Sequence, residues 1–107
     1  ESGINVVVNE PVLVAPSETI TSVHKDDLYD LVVAVPLIDG TEIAELRLIV
    51  RHEDSGDNDE LLRLSDGQGT YRRTWKAKQF GGYTVILETS NRDREVTQWA
   101  QRSIEVQ

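Results

Sequence analysis

The stretch from Leu64 to Thr89 constrains the fold of this chain more than any other segment. Two glycine-containing clusters, at 65–69 and 78–82, lie on either side of residues 70–77. In that segment polar side chains alternate with Tyr71, Trp75 and Ala77. A period of two residues with aromatic and β-branched side chains predicts a β-strand. The glycines tolerate the positive φ values that a tight reversal of the chain requires, so each cluster predicts a turn.

The segment after the second cluster predicts another strand, which begins near Gly82. Its inward row consists of Tyr83, Val85, Leu87 and Thr89. A tyrosine just inside a strand after such a corner resembles the tyrosine corner of immunoglobulin-like sandwiches, whose ring packs in the core and whose hydroxyl bonds to backbone upstream. The alternative interpretation is an ordinary half-buried aromatic residue at Tyr83.

A longer pattern in the same region carries a family resemblance. It reads Leu-x-Asp-Gly-x-Gly-x-Tyr, followed after about ten residues by Gly-x-Tyr-x-Val; the matching residues are Leu64, Asp66, Gly67, Gly69, Tyr71, Gly81, Gly82, Tyr83 and Val85. The pattern resembles that of immunoglobulin-like or fibronectin-type-III-like domains of secreted bacterial proteins, which often follow von Willebrand factor A modules. It covers roughly the C-terminal half of the chain, and it implies a fold rather than a chemistry.

The remaining segments predict the same fold class. Leu28 to Ile38 is the strongest strand signal, with an inward row of Tyr29, Leu31, Val33, Val35 and Leu37 and apolar residues on its other face as well, so it should be a central strand. Residues 42–52 alternate as Leu-Arg-Leu-Ile-Val-Arg, which favours a strand over a helix. We therefore predict an all-β, immunoglobulin-like sandwich of seven or eight antiparallel strands, in one domain over residues 1–107.

Several segments at the edges of this pattern are less regular. The apolar runs at 4–8 and 12–15 end at prolines, which suits an edge strand that stops or switches sheets, and 19–24 is either a further edge strand or a loop. Asp39-Gly40 and residues 90–93 predict turns, and the acidic residues 53–60 predict a loop. The last strand should cover 94–106, with Val96, Ala100, Ile104 and Val106 on one side and Thr97 and Trp99 on the other.

Composition limits the range of partners. The formal net charge is −8, which argues against nucleic acid or an anionic membrane as the main partner. The charge is uneven: residues 1–70 carry 15 acidic and 4 basic side chains, and residues 71–107 carry 4 and 7. This distribution indicates either two differently charged faces of one sandwich or head-to-tail docking between neighbouring domains.

The ends of the chain suggest an excised domain. The sequence has no Cys and no Met, so it offers no disulfide and Glu1 is not a native start. No apolar run reaches the roughly 18 residues of a transmembrane helix, and no signal peptide is visible. We expect a domain excised from a larger protein, with no direct membrane insertion.

The acidic loop is the best candidate for a metal site. Asp54, Asp57 and Asp59 offer the hard oxygen ligands that calcium prefers. Their spacing does not match an EF-hand, and a solvated acidic loop is the competing interpretation. The resembling domains often have a longer Asp-rich loop than Ser65-Asp66-Gly67, so the resemblance adds little support for a metal.

Other candidate residues do not form a catalytic pattern. His24 lies near Asp26, Asp27 and Asp30, which could bind zinc or support a general base, although a surface loop explains the same residues. No serine occurs in a nucleophile-elbow context, and no phosphate-binding glycine loop is present. We therefore expect no enzymatic activity.

The two tryptophans raise the question of sugar binding. A carbohydrate-binding site would need exposed rings, and Trp75 is aligned with Tyr71 and is expected in the core. Trp99 is then the candidate ligand-binding residue, since an exposed aromatic side chain can mark a binding surface.

These observations lead to one functional hypothesis and one alternative. The sequence favours a non-enzymatic accessory, interaction or spacer module of a larger extracytoplasmic bacterial protein, with neighbouring domains of the same chain or of another protein as partners. The alternative is a module that binds calcium through the acidic loop or carbohydrate through Trp99. No cofactor other than calcium is expected.

Overall fold

A computed structural model describes residues 10–38 and 42–107 and places eight strands in them. The strands are β1 (Val12–Ala15), β2 (Ile20–Val23), β3 (Leu28–Val35), β4 (Glu45–His52), β5 (Asn58–Leu64), β6 (Gly69–Lys76), β7 (Gly81–Ser90) and β8 (Val96–Val106). None of the described residues is helical, which confirms the all-β prediction. The predicted apolar run at 4–8 and the Asp39-Gly40 turn lie outside the described residues.

The strands form two sheets, in the orders β1-β3-β6 and β2-β8-β7-β4-β5. β1 and β2 follow one another along the chain but lie at the edges of different sheets, so of the two predicted alternatives, an edge strand that stops or one that switches sheets, the structure shows the switch. β3 is the central strand of its sheet, also as predicted. The prediction of purely antiparallel strands is wrong for one pair: β2 runs parallel to β8, with Val23 beside Val106.

The hydrophobic core lies between the sheets and is built from their inward rows. Leu31 and Val33 of β3, and Val85 and Leu87 of β7, each have an exposed fraction of 0%. Burying a valine or leucine side chain completely stabilises a fold by roughly 1.5–3 kcal/mol. These rows belong to one cluster, so the two sheets share a single core.

Proline changes the end of the predicted inward row of β3. The row was expected to include Leu37, but β3 ends at Val35 and the Leu37 side chain is 61% exposed. Pro36 lacks a backbone N–H and fixes its own φ, so the alternation of the strand does not continue through it. Ile38, rather than Leu37, is buried, and its N–H donates to the Gly67 carbonyl at 3.3 Å.

The loop formed by the acidic segment is shorter than the sequence predicted. β4 and β5 form a hairpin, and Asn58 pairs with Arg51 while Glu60 pairs with Ile49. The predicted loop over 53–60 is therefore wrong for its last three residues, which begin β5. β5 is an edge strand of the five-stranded sheet, where acidic side chains can stay in water and discourage further pairing.

A β-bulge alters the predicted faces of β8. Leu87 pairs with Ala100 and Glu88 pairs with Gln98, so Trp99 is the extra residue of the bulge. Thr97 consequently lies opposite buried Thr89, whereas Val96 is 57% exposed. The predicted faces of Val96 and Thr97 are wrong because the extra residue, Trp99, reverses the inward and outward positions of the β8 residues that precede it.

Tyr83 joins the two sheets at one end of the core. Its ring centroid lies 4.7 Å from that of His52 on β4 and 4.8 Å from that of Trp75 on β6. Its hydroxyl accepts a hydrogen bond from the Gln79 backbone N–H at 3.2 Å. This is the arrangement expected of a tyrosine corner, since the ring is buried and the hydroxyl holds the preceding connection.

The Tyr83 contacts predict how stability varies at high pH. Burial raises the pKa of the Tyr83 hydroxyl; the hydrogen bond from Gln79 opposes this, and the charges of Asp59 and Asp57 add to the rise. The unfolded chain should therefore lose the Tyr83 proton first, near pH 10. The contribution of Tyr83 to stability is then complete below about pH 10 and is lost as pH rises through the folded-state pKa.

A Tyr83→Phe variant isolates this contribution from other groups that titrate at high pH. The variant should lose about 0.5–1.5 kcal/mol at pH 7, because one hydrogen bond is removed. Between about pH 9 and 11 its free energy of unfolding in urea should fall less steeply than that of the wild type. Equal slopes in the two proteins would contradict the proposed role of the Tyr83 hydroxyl.

Candidate functional site

The strand directions give the sandwich two distinct ends. The upper end gathers Glu10 and the connections at 36–38, 42–44, 65–68 and 91–95. The lower end gathers the connections at 24–27, 53–57 and 77–80, together with Gln107. Connections carry most binding residues in sandwich folds, so binding sites are expected at the two ends.

Trp99 lies at the upper end on the rim of a cavity of about 360 Å³. Its indole N–H donates to the hydroxyl of buried Thr89 at 2.8 Å, which fixes the position of the ring, and 36% of the residue stays exposed. The cavity is also lined by Glu10, Glu42, Ile43, Asn91, Glu95 and Thr97. We call this cavity the Trp99 pocket.

The Trp99 pocket combines an aromatic ring with polar groups in one concave surface. An indole ring offers a flat apolar face, and the surrounding carboxylates, amide and hydroxyls can accept or donate hydrogen bonds to a polar ligand. A volume of about 360 Å³ is near the lower limit of ordinary small-molecule sites. The arrangement therefore suits a small ligand that has both an apolar face and many hydroxyl groups.

The turn between β7 and β8 forms one wall of this pocket, and Asn91 holds it together. The Asn91 side-chain oxygen accepts from the backbone N–H groups of Asp93 and Glu95 at 2.9 and 3.0 Å. The Asn91 backbone N–H donates to the Glu95 carbonyl at 3.1 Å. Sequence reasoning predicted a turn here but did not identify the role of Asn91, although asparagine commonly bonds backbone groups within turns.

The structure does not bring together the three residues predicted to bind calcium. An Asp54 side-chain oxygen lies 3.1 Å from where a Cβ at Gly81 would be, while Asp57 and Asp59 line a cavity with Lys76 and Lys78. Across residues 10–38 and 42–107, no three His, Cys, Asp or Glu side chains are grouped so that they could hold a metal ion.

The His24 segment is likewise explained by local contacts. The Asp27 carboxylate accepts from the His24 backbone N–H at 3.1 Å, and the Asp30 carboxylate accepts from the Thr74 hydroxyl at 2.8 Å. The His24 side chain is exposed. The carboxylates that looked like partners of His24 therefore stabilise the chain around them.

His52 is a buried histidine whose environment the sequence did not reveal. Its Nδ1 accepts from the Ser55 backbone N–H at 3.2 Å, so the proton resides on Nε2, which donates to the Phe80 carbonyl at 3.1 Å. The Ser55 hydroxyl also lies 2.8 Å from Nδ1. In a hydrolase triad the second ring nitrogen faces a carboxylate, whereas here it faces a backbone carbonyl, so His52 joins two turns.

The remaining predicted structural residues lie at the corners of the sandwich. A Cβ at Gly67 would lie 2.6 Å from the hydroxyl of half-buried Tyr71, and Gly67 has a φ of 109°. At the other corner the positive φ, 107°, belongs to Gly81, and the Gly82 carbonyl accepts from the Glu53 backbone N–H at 2.9 Å. Trp75 is 3% exposed.

Comparison with known proteins identifies a fold and no closer relationship. No protein-family model matches the chain, and no curated protein matches it. It is similar to a fibronectin(III)-like module of Clostridium thermocellum CbhA, with 16% identity, coverage of 92% of this chain and 97% of that chain, and a TM-score of 0.58. Murine CRIg matches with 12% identity, the same coverages and a TM-score of 0.43.

The likeness to the CbhA module confirms the predicted sandwich. The chain has a two-sheet, immunoglobulin-like and fibronectin-type-III-like fold. The association with von Willebrand factor A modules stays a prediction. Among the described residues there is no helix whose length and apolarity would let it cross a membrane.

Proposed function

We propose that this chain is a non-catalytic accessory module that acts as a spacer in a larger extracytoplasmic bacterial protein. The observation that carries the proposal is that β8 is paired along its length and connects the two ends of the sandwich. The location follows from the resemblance of residues 64–85 to domains of secreted bacterial proteins. Its fold likeness to a module of a bacterial protein is in keeping with that location.

The two ends of the described chain are tied to the sandwich in different ways. Val12 pairs with Ala34 near the upper end of β3. At the lower end the Gln107 N–H donates to the Val23 carbonyl at 2.9 Å, and the Gln107 carbonyl accepts from the Lys25 N–H at 3.1 Å. β8 alone has 11 residues, which span roughly 35 Å at about 3.3 Å per residue. The upper and lower ends of the sandwich are therefore separated by about that strand length.

The spacer role predicts that the distance between the two ends of the sandwich stays fixed when other domains are attached. The chain has no Cys, so cysteines introduced at Asp93 and Gln107 would carry spin labels without background. Because β8 is paired along its whole length, pulsed electron paramagnetic resonance should give one narrow distance distribution of about 35–45 Å. The distribution should stay unchanged when folded reporter domains are fused to both termini.

A labelled pair within one end provides the control. Labels at Asp66 and Asp93, both in upper-end connections, should give a shorter distance that is equally unaffected by the fusions. A broad distribution for the end-to-end pair, or one that shifts when the reporters are added, would contradict the spacer role.

The Trp99 pocket favours a second candidate function, the binding of a neutral oligosaccharide. Sugar rings stack on aromatic faces and present hydroxyl groups to carboxylates and amides, and the pocket places Glu42, Asn91 and Glu95 around the fixed indole. Thr89 is 3% exposed, so its bond to the Trp99 N–H is part of the folded core and orients the ring before any ligand arrives.

Tryptophan fluorescence offers a direct test of this candidate. Titration with neutral oligosaccharides should produce a saturable change in the wild type and none in Trp99→Phe. Trp75, which is 3% exposed, remains as an internal reference in both proteins. A Glu95→Gln variant should keep the stacking and bind more weakly, by about 0.5–1.5 kcal/mol per altered hydrogen bond. An equal change in wild type and Trp99→Phe would refute binding at this pocket.

A further inference from the structure

The open side of the sandwich between β5 and β6 contains a small cavity at its lower end. β5 is the edge strand of the five-stranded sheet, β6 is the edge strand of the three-stranded sheet, and the two strands contact each other. The cavity has a volume of about 190 Å³ and is lined by His52, Asp57, Asp59, Lys76, Lys78, Gln79 and Tyr83. We call it the Tyr83 cavity.

Strand pairing directs two carboxylates toward this cavity. Asp59 pairs with Val50, which is 1% exposed and belongs to the inward row of β4. Residues directly opposite each other lie on the same face of a sheet, so Asp59 also points toward the inner side. Asp57 precedes it by two residues, and the Asp57 carbonyl accepts from the His52 backbone N–H at 2.9 Å. The two acidic side chains therefore line the same wall of the cavity.

Two lysines bring the opposite charge to the cavity. Lys76 is the last residue of β6, and Lys78 follows it by two residues in the connection to β7. In the part of the chain that the structure describes, none of the ion pairs joins either lysine to Asp57 or Asp59. The cavity therefore keeps positive and negative groups apart, and a small molecule that carries both charges can bridge them.

The Tyr83 hydroxyl is an independent observation that points to a ligand. Tyr83 is 5% exposed, and its ring packs against His52 and Trp75. The hydroxyl accepts from the Gln79 N–H, and among the described residues no acceptor for its own proton lies within hydrogen-bond distance. A buried donor without a partner costs about 1–3 kcal/mol. The acceptor must therefore come from the cavity, as water or as an atom of a ligand.

The charges around the hydroxyl limit which ligand fits. Burial raises the pKa of the Tyr83 hydroxyl, and the nearby charges of Asp59 and Asp57 add to the rise. These carboxylates would repel a ligand that carries only negative charge. A ligand with only positive charge would be repelled by Lys76 and Lys78, and it would leave the Tyr83 proton without an acceptor. A molecule with both a carboxylate and an ammonium group avoids both penalties.

We propose that the Tyr83 cavity binds a small zwitterion of the amino-acid class. Lys76, Lys78 and the Tyr83 O–H bind its carboxylate, and Asp57 and Asp59 bind its ammonium group. A cavity of about 190 Å³ has the liquid volume of about six water molecules, which suits a free amino acid with a short side chain. Because most of these contacts involve exposed charges, binding should be in the millimolar range. The site goes beyond the spacer role and does not depend on it.

Glycine and β-alanine are the probes, because they carry the same two charges at different separations. In proton–nitrogen NMR spectra, at least one of them should shift the amide signals of Asp57 and Gln79 saturably. The Gln79 N–H donates to the Tyr83 hydroxyl and therefore reports on it. For each probe, the hydroxy acid of equal chain length lacks the ammonium group and the amino alcohol lacks the carboxylate. Each control should bind at least about tenfold more weakly. No saturable shift with either probe, or equal binding of a control, would overturn the proposal.

Matched lysine variants test the carboxylate end of the site. Lys76→Gln with Lys78→Gln should weaken zwitterion binding at least about fivefold, because two charge-assisted contacts are lost. Arg72→Gln with Arg92→Gln removes the same charge from exposed positions outside the cavity and should leave the affinity within about twofold. Equal losses in the two double variants would assign the effect to net charge and contradict the site.

Matched aspartate variants test the ammonium end in the same way. Asp57→Asn with Asp59→Asn should weaken binding at least about fivefold. Asp66→Asn with Asp93→Asn changes the same charge at exposed positions of the upper end and should leave the affinity within about twofold. Binding that survives loss of both cavity aspartates would show that the ammonium group is not recognised there, which the proposal excludes.

A Tyr83→Phe variant tests the contribution of the hydroxyl. The variant keeps the ring that packs on His52 and Trp75, so it should stay folded. Its affinity for the zwitterion, followed at the Asp57 amide, should fall about two- to tenfold, the range expected for one hydrogen bond. An unchanged affinity would mean that the Tyr83 proton does not meet the ligand, and the proposed site would be wrong.

Discussion

The rest of the structure depends on the burial of alternating side chains between two sheets, and β3 and β7 supply the centre of that contact. Leu31 and Val33 from one sheet and Val85 and Leu87 from the other are fully excluded from water. Tyr83 extends the contact to the lower end, where His52 and Trp75 pack on its ring. Every second residue of these strands points into the core. The residues between them face outward, so the outer faces and the ends of the sandwich can carry polar side chains.

The candidate binding surfaces lie outside the buried rows, at the ends and on the outer faces of the sandwich. The turn at 91–95 borders the Trp99 pocket on one side and presents Arg92 and Arg94 on the other. Asn91 holds that turn with its side chain, and the bulge at Trp99 turns the indole toward Thr89. A single connection, rigid because of local hydrogen bonds, thus organises two surfaces with different chemistry.

Sequence reasoning found the parts of the fold that follow from a period of two, and it was wrong where a proline or a strand pairing interrupts that period. The inward rows of β3 and β7 follow directly from the alternation of the sequence. The exposure of Leu37 and Val96 does not, because Pro36 ends the alternation before Leu37 and a bulge shifts it at Val96. Trp99 stood out as an aromatic residue outside the predicted rows. Its neighbours Glu10 and Glu42 come from distant segments. Arg47, Arg63 and Arg92 likewise come from three separate segments, and only the topology brings them together.

A comparison of two leucine substitutions tests most directly whether burial between the sheets holds the domain together. Leu87 is 0% exposed in β7, whereas Leu28 is 69% exposed in β3. The free energy of unfolding, measured by urea denaturation, should fall by about 2–5 kcal/mol for Leu87→Ala. For Leu28→Ala, the same measurement should change by no more than about 0.5 kcal/mol. Similar losses for the two variants would contradict a fold that depends on the core between β3 and β7.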